Sequence, residues 1–338
     1  MKTAMMQAMI FEGHGKPLLL KEIPVPEPGD DQVLIKIIAC GICRTDLHVL
    51  DGELTKPKLP LVPGHEIIGT VAAAGKSVQD IKPGDLVGVP WLGYTCGTCK
   101  YCRQHKENLC QNAKFTGYTL DGGYAQFTVA YSKYCFKLSE QYHNPESAPL
   151  LCAGLIGYRS YHMINPDAQN IGMYGFGAAA HILIQIARAQ NKKVFAFTRD
   201  GDAKSQSFAR ELGAYWVGGS ADTPPEKLDA SIIFAPAGEL IPKALQDLDK
   251  GGTVICGGIH MSQIPAFSYD LLWEERAVRS VANLTREDGL NFFDLLKSIT
   301  VHTQTELFLL PQANEAIDKL RKGQVKGAAV LVMDQPGD

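Results

Sequence analysis

The sequence predicts an α/β fold in which a doubly wound parallel sheet accompanies an irregular, barrel-like β domain. Three observations predict it. Between about 150 and 285, short apolar runs alternate with helical patterns. A Gly-x-Gly-x-x-Ala turn, Gly175 to Ala180, sits where the first of those runs meets the first helix. The first third instead carries short apolar runs cut by Pro and Gly.

The elements follow in order. Val33–Ala39, Ile67–Ala72 and Asp85–Val89 read as short strands, punctuated at Pro24, Pro26, Pro28, Gly29, Pro63, Gly64, Pro83 and Gly84. Ile171–Tyr174 is a strand, and Ala178–Gln190 a helix with apolar residues at 182, 183, 186 and 187. Val194–Phe197 is a second strand and Asp202–Leu212 a second helix. Ala230–Phe234 is a buried strand, Leu240–Leu248 a helix and Gly252–Cys256 a strand. This alternation implies parallel strands joined by crossover helices. The tail reads as helix Leu290–Ile299, strand Thr305–Leu309, helix Gln312–Lys322 and strand Ala328–Met333.

At 338 residues the chain is long enough for two domains with cores of their own. Its net charge is −3, so no basic field draws nucleic acid. No stretch approaches the ~20 apolar residues a membrane span needs. Met1–Met6 lack the apolar region of a signal peptide. Nine cysteines without an export signal suit a reducing compartment, so the expected location is the cytoplasm.

Four of those cysteines, Cys96, Cys99, Cys102 and Cys110, read C-x2-C-x2-C-x7-C on a loop too polar to fold on a core of its own. Four thiolates can close a tetrahedral Zn²⁺, and such a site is structural. A disulfide pair or idle thiols is the other reading, disfavoured because three cysteines at two-residue gaps cannot all pair well. Candidate ligands for a second, open site lie in three stretches: Cys40–His48, Pro63–Glu66 and Leu150–Gly154. A Cys₂His set leaves one vertex for water or substrate. Cys40, Cys135 and Cys256 read as buried small apolar groups.

Gly41-Ile42-Cys43-Arg44-Thr45-Asp46-Leu47-His48, Pro63-Gly64-His65-Glu66-Ile67-Ile68-Gly69, the four-cysteine loop and Leu151-Cys152-Ala153-Gly154 together resemble the zinc-dependent medium-chain alcohol dehydrogenases, the bacterial ones most. The resemblance covers essentially the whole chain. It implies a GroES-like catalytic domain from 1–150 and 286–338, with a Rossmann domain from 151–285 inserted. It also implies two zinc ions per chain. Cys43, His65 and Cys152 match the ligands of the catalytic one, and Cys96, Cys99, Cys102 and Cys110 those of the structural one. Asp46 matches a carboxylate orienting His65, and Glu66 a glutamate beside the zinc. Thr45 and His48 match a proton relay; their alternative is a helix start with an exposed histidine. The chemistry suits these residue types. Hydride leaves a carbon only when the attached oxygen is close to alkoxide, zinc lowers an alcohol's pKa, and a hydroxyl–imidazole chain carries the proton off. Trp91 and Leu92 match pocket walls, and with Tyr118 they hint at small aliphatic or aromatic alcohols, aldehydes or ketones as substrates.

For the dinucleotide, Gly175 allows the tight turn and Gly177 the close approach of pyrophosphate to the helix N-terminus that Ala178 opens. Ala180 permits helix–strand packing. Thr198 stands where NAD-preferring relatives carry Asp, with Arg199 next to it, which favours NADP(H) over NAD(H). The opposing reading is that Asp200 reaches back to the ribose and Arg199 is a solvated charge. Gly257, Gly258 and Ile259 resemble the segment facing the nicotinamide amide. One departure stands out: Ala328 replaces the Arg of a C-terminal Gly-Arg-x-Val-Leu stretch that helps relatives hold the cofactor, which leaves Lys326 as a candidate for that part. The family further implies a homotetramer, with a dimer as the rival. A zinc-free quinone or enone reductase on the same fold would not need the Cys₂His set, and a non-catalytic nucleotide-binding or zinc-storage protein would not need the relay pair Thr45 and His48.

Overall fold

The computed structural model describes residues 4–259 and 261–333, so the first three residues of the N-terminal stretch read above lie outside it. The chain divides into two compact units. One comprises Met1–Cys152, Thr285–Lys297 and His302–Asp338, the other Ala153–Leu284 with Ser298–Val301.

The first unit is built on the strand Gln32–Ile42. Glu66–Ala74 and Phe127–Tyr131 pair with it antiparallel, as does Ala328–Val332 from the far end of the sequence. The sheet runs on through Leu86–Val89 to Phe136–Lys137 on one side and to Thr305–Leu309 on the other. Val33, Ile35 and Ile37 alternate inward onto Phe11, Ile67 and Tyr124, the period-two burial of a strand with one face in a core. Register shifts between Leu34 and Ile35 and between Ile37 and Ala39 curve the strand. Beyond the second shift, Gly41 stands opposite both Glu66 and Val330. That register brings the Cys40–His48 stretch beside the Pro63–Glu66 stretch.

The second unit holds six parallel strands in the spatial order Trp216–Gly219, Lys193–Thr198, Asn170–Tyr174, Leu228–Ile233, Leu248–Cys256, Ala277–Ser280. This is the doubly wound dinucleotide-binding order, with the strand order reversing at Asn170–Tyr174. The helices Ala178–Ala189, Ala203–Glu211 and Leu240–Asp247 make the crossovers. Successive residues serve opposite faces: Met173 packs with Leu183 and Ile184, and Tyr174 with Ile241 and Leu245. Both faces are covered, as a parallel sheet requires.

The elements expected from the sequence form, one of them shifted, and others join them that the sequence did not suggest, among them the strand Phe127–Tyr131 and the helix Ala153–His162. The helix expected at Leu290–Ile299 is Arg286–Leu295, because Thr285 caps it and exchanges hydrogen bonds with Asp288. The strands Trp216–Gly219 and Ala277–Ser280, not anticipated, complete the parallel sheet.

Candidate functional site

Cys96, Cys99, Cys102 and Cys110 converge. Cys96 Sγ lies 3.5 Å from Cys110 Sγ and 3.9 Å from Cys102 Sγ, and Cys99 and Cys102 are 3.5 Å apart. Sulfurs on one tetrahedral zinc stand about 3.7 Å apart, given Zn–S bonds near 2.3 Å. Gly97, at φ +71°, turns the loop, and the N–H of Cys99 donates back to Cys96 Sγ. Backbone N–H groups of Thr98 and Cys99 draw the Cys96 thiol down to about 6. Burial pushes Cys102 the other way, to about 11. All nine cysteines are free thiols, including Cys40, Cys135 and Cys256, which are buried. The donor set fits a closed zinc site.

The open set also converges, wholly within the first unit. Cys43 caps the helix Arg44–Leu50: its sulfur accepts from Thr45 N, and its own N–H donates to Asp46. His65 is fully buried and follows Gly64 (φ +95°), where a Cβ would strike the Tyr124 ring and Cys40 Sγ. Cys43 Sγ lies 3.3 Å from His65 Nε2 and 3.9 Å from Cys152 Sγ. With a carboxylate oxygen of Glu66, these donor atoms all lie within 4.8 Å of one another. Two half-buried sulfurs with a buried imidazole nitrogen and carboxylate fit a borderline-soft dication.

Electrostatics agree with that fit. The sulfur–sulfur contact with Cys152 holds the Cys43 thiol well below its ordinary range, and the same contact, with burial, lifts Cys152 well above it. Burial, then the charge on Cys43, drives Glu66 well above the usual carboxylate range. Burial disfavours a charged His65, but Cys43 and Asp46 outweigh it and raise the imidazole. Burial likewise raises Asp46, against the pull of His65. His65 Nδ1 faces Asp46 Oδ1 at 3.4 Å, and neither atom has a well-formed hydrogen bond among the described residues. A bound cation would take the place of the protons these groups hold, leaving thiolates and a neutral imidazole facing it.

Thr45 and His48 lie three apart on the helix Arg44–Leu50, Thr45 buried and His48 partly exposed. His48 Nδ1 meets Glu53 Oε2 at 2.5 Å, a partner the sequence reading missed. Trp91 sets its ring edge-on to His65, 5.0 Å away at 79°. It stacks on Phe115 at 5.3 Å and on Tyr118 at 5.7 Å. Phe115 was not anticipated, and Leu92 is fully buried, a core residue.

In the second unit Gly175 has φ +92°, and a Cβ there would press on the Ala235 backbone. Gly177 has open space where a Cβ would point, and it begins the helix Ala178–Ala189 without a side-chain cap. Its first N–H groups therefore suit an anion. Ala180 is fully buried. Thr198 is buried; its hydroxyl has Arg199 O at 3.1 Å and Gly218 O at 3.4 Å to share its one proton, and it accepts from Gln206 Nε2. Arg199 is exposed, and Asp200 turns its carboxylate over Gly219. The N–H groups of Gly257 and Gly258 donate to Ile233 O, while Ile259 is exposed.

Residues 29–140 match the alcohol dehydrogenase GroES-like domain. The chain is 43% identical over 316 residues to a probable alcohol dehydrogenase, AdhA, of Mycobacterium tuberculosis (strain CDC 1551 / Oshkosh), covering 91% of each. Among solved structures it is similar to acetophenone reductase from Geotrichum candidum in complex with NAD, at 30% identity, TM-score 0.83 and 97% coverage of both chains. It is also similar to a putative zinc-binding dehydrogenase from Sinorhizobium meliloti 1021 bound to NADP, at 26% identity, TM-score 0.85, covering 98% of this chain and 100% of that one.

Proposed function

Because the chain belongs to the zinc-type medium-chain alcohol dehydrogenase family, we propose that it interconverts a small alcohol and its aldehyde or ketone by hydride exchange with NADP(H). The convergence of Cys43, His65, Glu66 and Cys152 donor atoms within 4.8 Å carries this reading. Cys43, His65 and Cys152 hold a catalytic zinc, with Glu66 the neighbouring carboxylate, and Cys96, Cys99, Cys102 and Cys110 hold a structural one. When bound, zinc supplies the Lewis acid that makes an alcohol's proton acidic and polarises a carbonyl. The remaining work falls to the chain. Asp46 orients His65 and fixes which ring nitrogen faces the metal. Thr45 passes the substrate's proton from its hydroxyl to His48, which delivers it to water. Trp91, Phe115 and Tyr118 present an apolar stacked wall beside His65, suited to a flat or apolar substrate.

Gly175, Gly177, Ala178 and Ala180 form the pyrophosphate turn, and Gly257, Gly258 and Ile259 border the nicotinamide. Two features support NADP(H). No carboxylate occupies position 198, and the exposed Arg199 guanidinium suits a 2′-phosphate. Thr198, its hydroxyl committed inside the protein, contributes by not repelling. The exposed apolar side chains Ile264, Phe267, Tyr269 and Trp273 support a homotetramer, which would cover them. Among the described residues no helix is long and apolar enough to cross a membrane. Free thiols throughout support a reducing compartment such as the cytoplasm.

Metal analysis joined to turnover tests the reading: about two zinc per chain, with aldehyde reduction faster on NADPH than NADH. One zinc per chain and no turnover of any alcohol or aldehyde would overturn it.

A further inference from the structure

The relay residue His48 has a carboxylate on it that the sequence did not suggest. Exposed histidine–carboxylate pairs are ordinarily worth little, but here the backbone builds the pair. Asp51 N donates to Leu47 O at the end of the helix, Gly52 turns at φ +84°, and Leu54 N closes back on His48 O at 3.1 Å. A Cβ on Gly52 would press within 3.1 Å of His14 Nδ1, so His14 braces the turn from outside. The outcome is Glu53 Oε2 at 2.5 Å from His48 Nδ1. Other charged groups at this turn are Asp51, paired with Arg321 of the helix Ala313–Arg321 at 2.8 Å, and His14, whose Nδ1 lies 3.4 Å from Leu50 O.

We propose that Glu53 is a positioning residue for the relay, which holds the His48 ring and fixes its tautomer. The inference rests on the relay reading above. A carboxylate only accepts, so the Nδ1 facing Glu53 carries the proton. The nitrogen that exchanges protons with the relay is then Nε2. When the substrate's proton arrives there by way of Thr45, the ring carries protons on both nitrogens, and Glu53 stabilises that imidazolium. The proton then leaves Nε2 for water, which restores the starting tautomer with the Nδ1 proton in place throughout. The arrangement parallels an aspartate behind a catalytic imidazole.

The test uses the intact holoenzyme labelled with ¹⁵N-histidine, in alkaline buffer where imidazoles are neutral. The His48 signal is identified by its loss in His48→Gln. The parent and Glu53→Asp should show the Nδ1–H tautomer, and Glu53→Ala the Nε2–H form. In turnover, Glu53→Ala should lose about tenfold in kcat, with KM changed less than about twofold and Glu53→Asp recovering most of it, a part of the 10²–10⁴ that acid–base catalysis supplies. An Nδ1–H tautomer persisting in Glu53→Ala overturns the proposal. A His48→Gln enzyme with undiminished kcat overturns the relay itself. A dead His48→Gln beside a fully active Glu53→Ala overturns only the part given to Glu53.

Discussion

The carboxylate of Glu66 fills the space that a side chain on Gly41 would need: a Cβ there would collide with Glu66 Oε2. The two residues are register partners on adjacent strands, so neither can move aside without opening the sheet behind the Cys₂His set. Gly41→Ala should push Glu66 off its seat. We expect a stability loss of about 1–3 kcal/mol by thermal or denaturant unfolding, the usual cost of overpacking, with kcat falling further than the stability loss explains. A variant as stable and active as the parent would remove Glu66 from the site.

The two cysteine clusters should separate cleanly under mutation. Cys43→Ser should lower the zinc content from about two to about one per chain, abolish turnover and leave the circular dichroism spectrum unchanged. Cys96→Ser should instead cost stability before chemistry, because the loop it closes has no core of its own. A Cys43→Ser enzyme that still turns over would discard the open site.

For cofactor choice, Arg199→Ala should weaken NADPH by about tenfold in KM while NADH changes little, the range of one charge-assisted hydrogen bond. Thr198→Asp should reverse the preference by repelling the 2′-phosphate. A parent enzyme at least about twofold better in kcat/KM with NADH would refute the NADP(H) reading; that margin is about 0.4 kcal/mol.

His181, in the second unit, supplies a pH dependence of stability. It is 4% exposed, its Nε2 has no hydrogen-bond partner among the described residues, and burial pushes its pKa down to about 4. The unfolded chain then binds a proton between about 6.5 and 4 that the native state refuses. Stability from this group is therefore flat above about pH 6.5 and falls by about 3 kcal/mol as pH drops to about 4. His181→Gln should flatten that part of a denaturation-versus-pH curve, measured on the zinc-loaded protein. An unaltered slope would show that another group carries it.

Much of this was legible because the chemistry travels in short blocks. Cys43, His65 and Cys152 each sit in a stretch readable alone, and the structure brings the three together although 109 residues separate the outer pair. Other parts depended on contacts that no local pattern encodes. Glu53 reaches His48 only because Gly52 turns the chain. Phe115 joins Trp91 through the pairing of Leu92–Tyr94 with Lys114–Phe115. The strand Trp216–Gly219 was hidden by its two glycines, which have low strand preference, yet it completes the sheet edge. The helix before Leu295 begins earlier than its apolar spacing suggests, since the Thr285–Asp288 cap, present in the sequence, outranks periodicity at a helix start. Thr198 occupies the expected position, but its hydroxyl turns inward to Gly218 and Gln206, a direction that only tertiary packing sets.

The strand lying against Cys40 and Gly41 is Ala328–Val332, drawn from the end of the sequence. A polypeptide emerging from the ribosome thus displays every sulfur and imidazole of the open set long before the strand that pairs beside Gly41 has been synthesised. Removal of Ala328–Val332 would leave every one of those ligands present but strip a neighbour from the strand that carries Gly41.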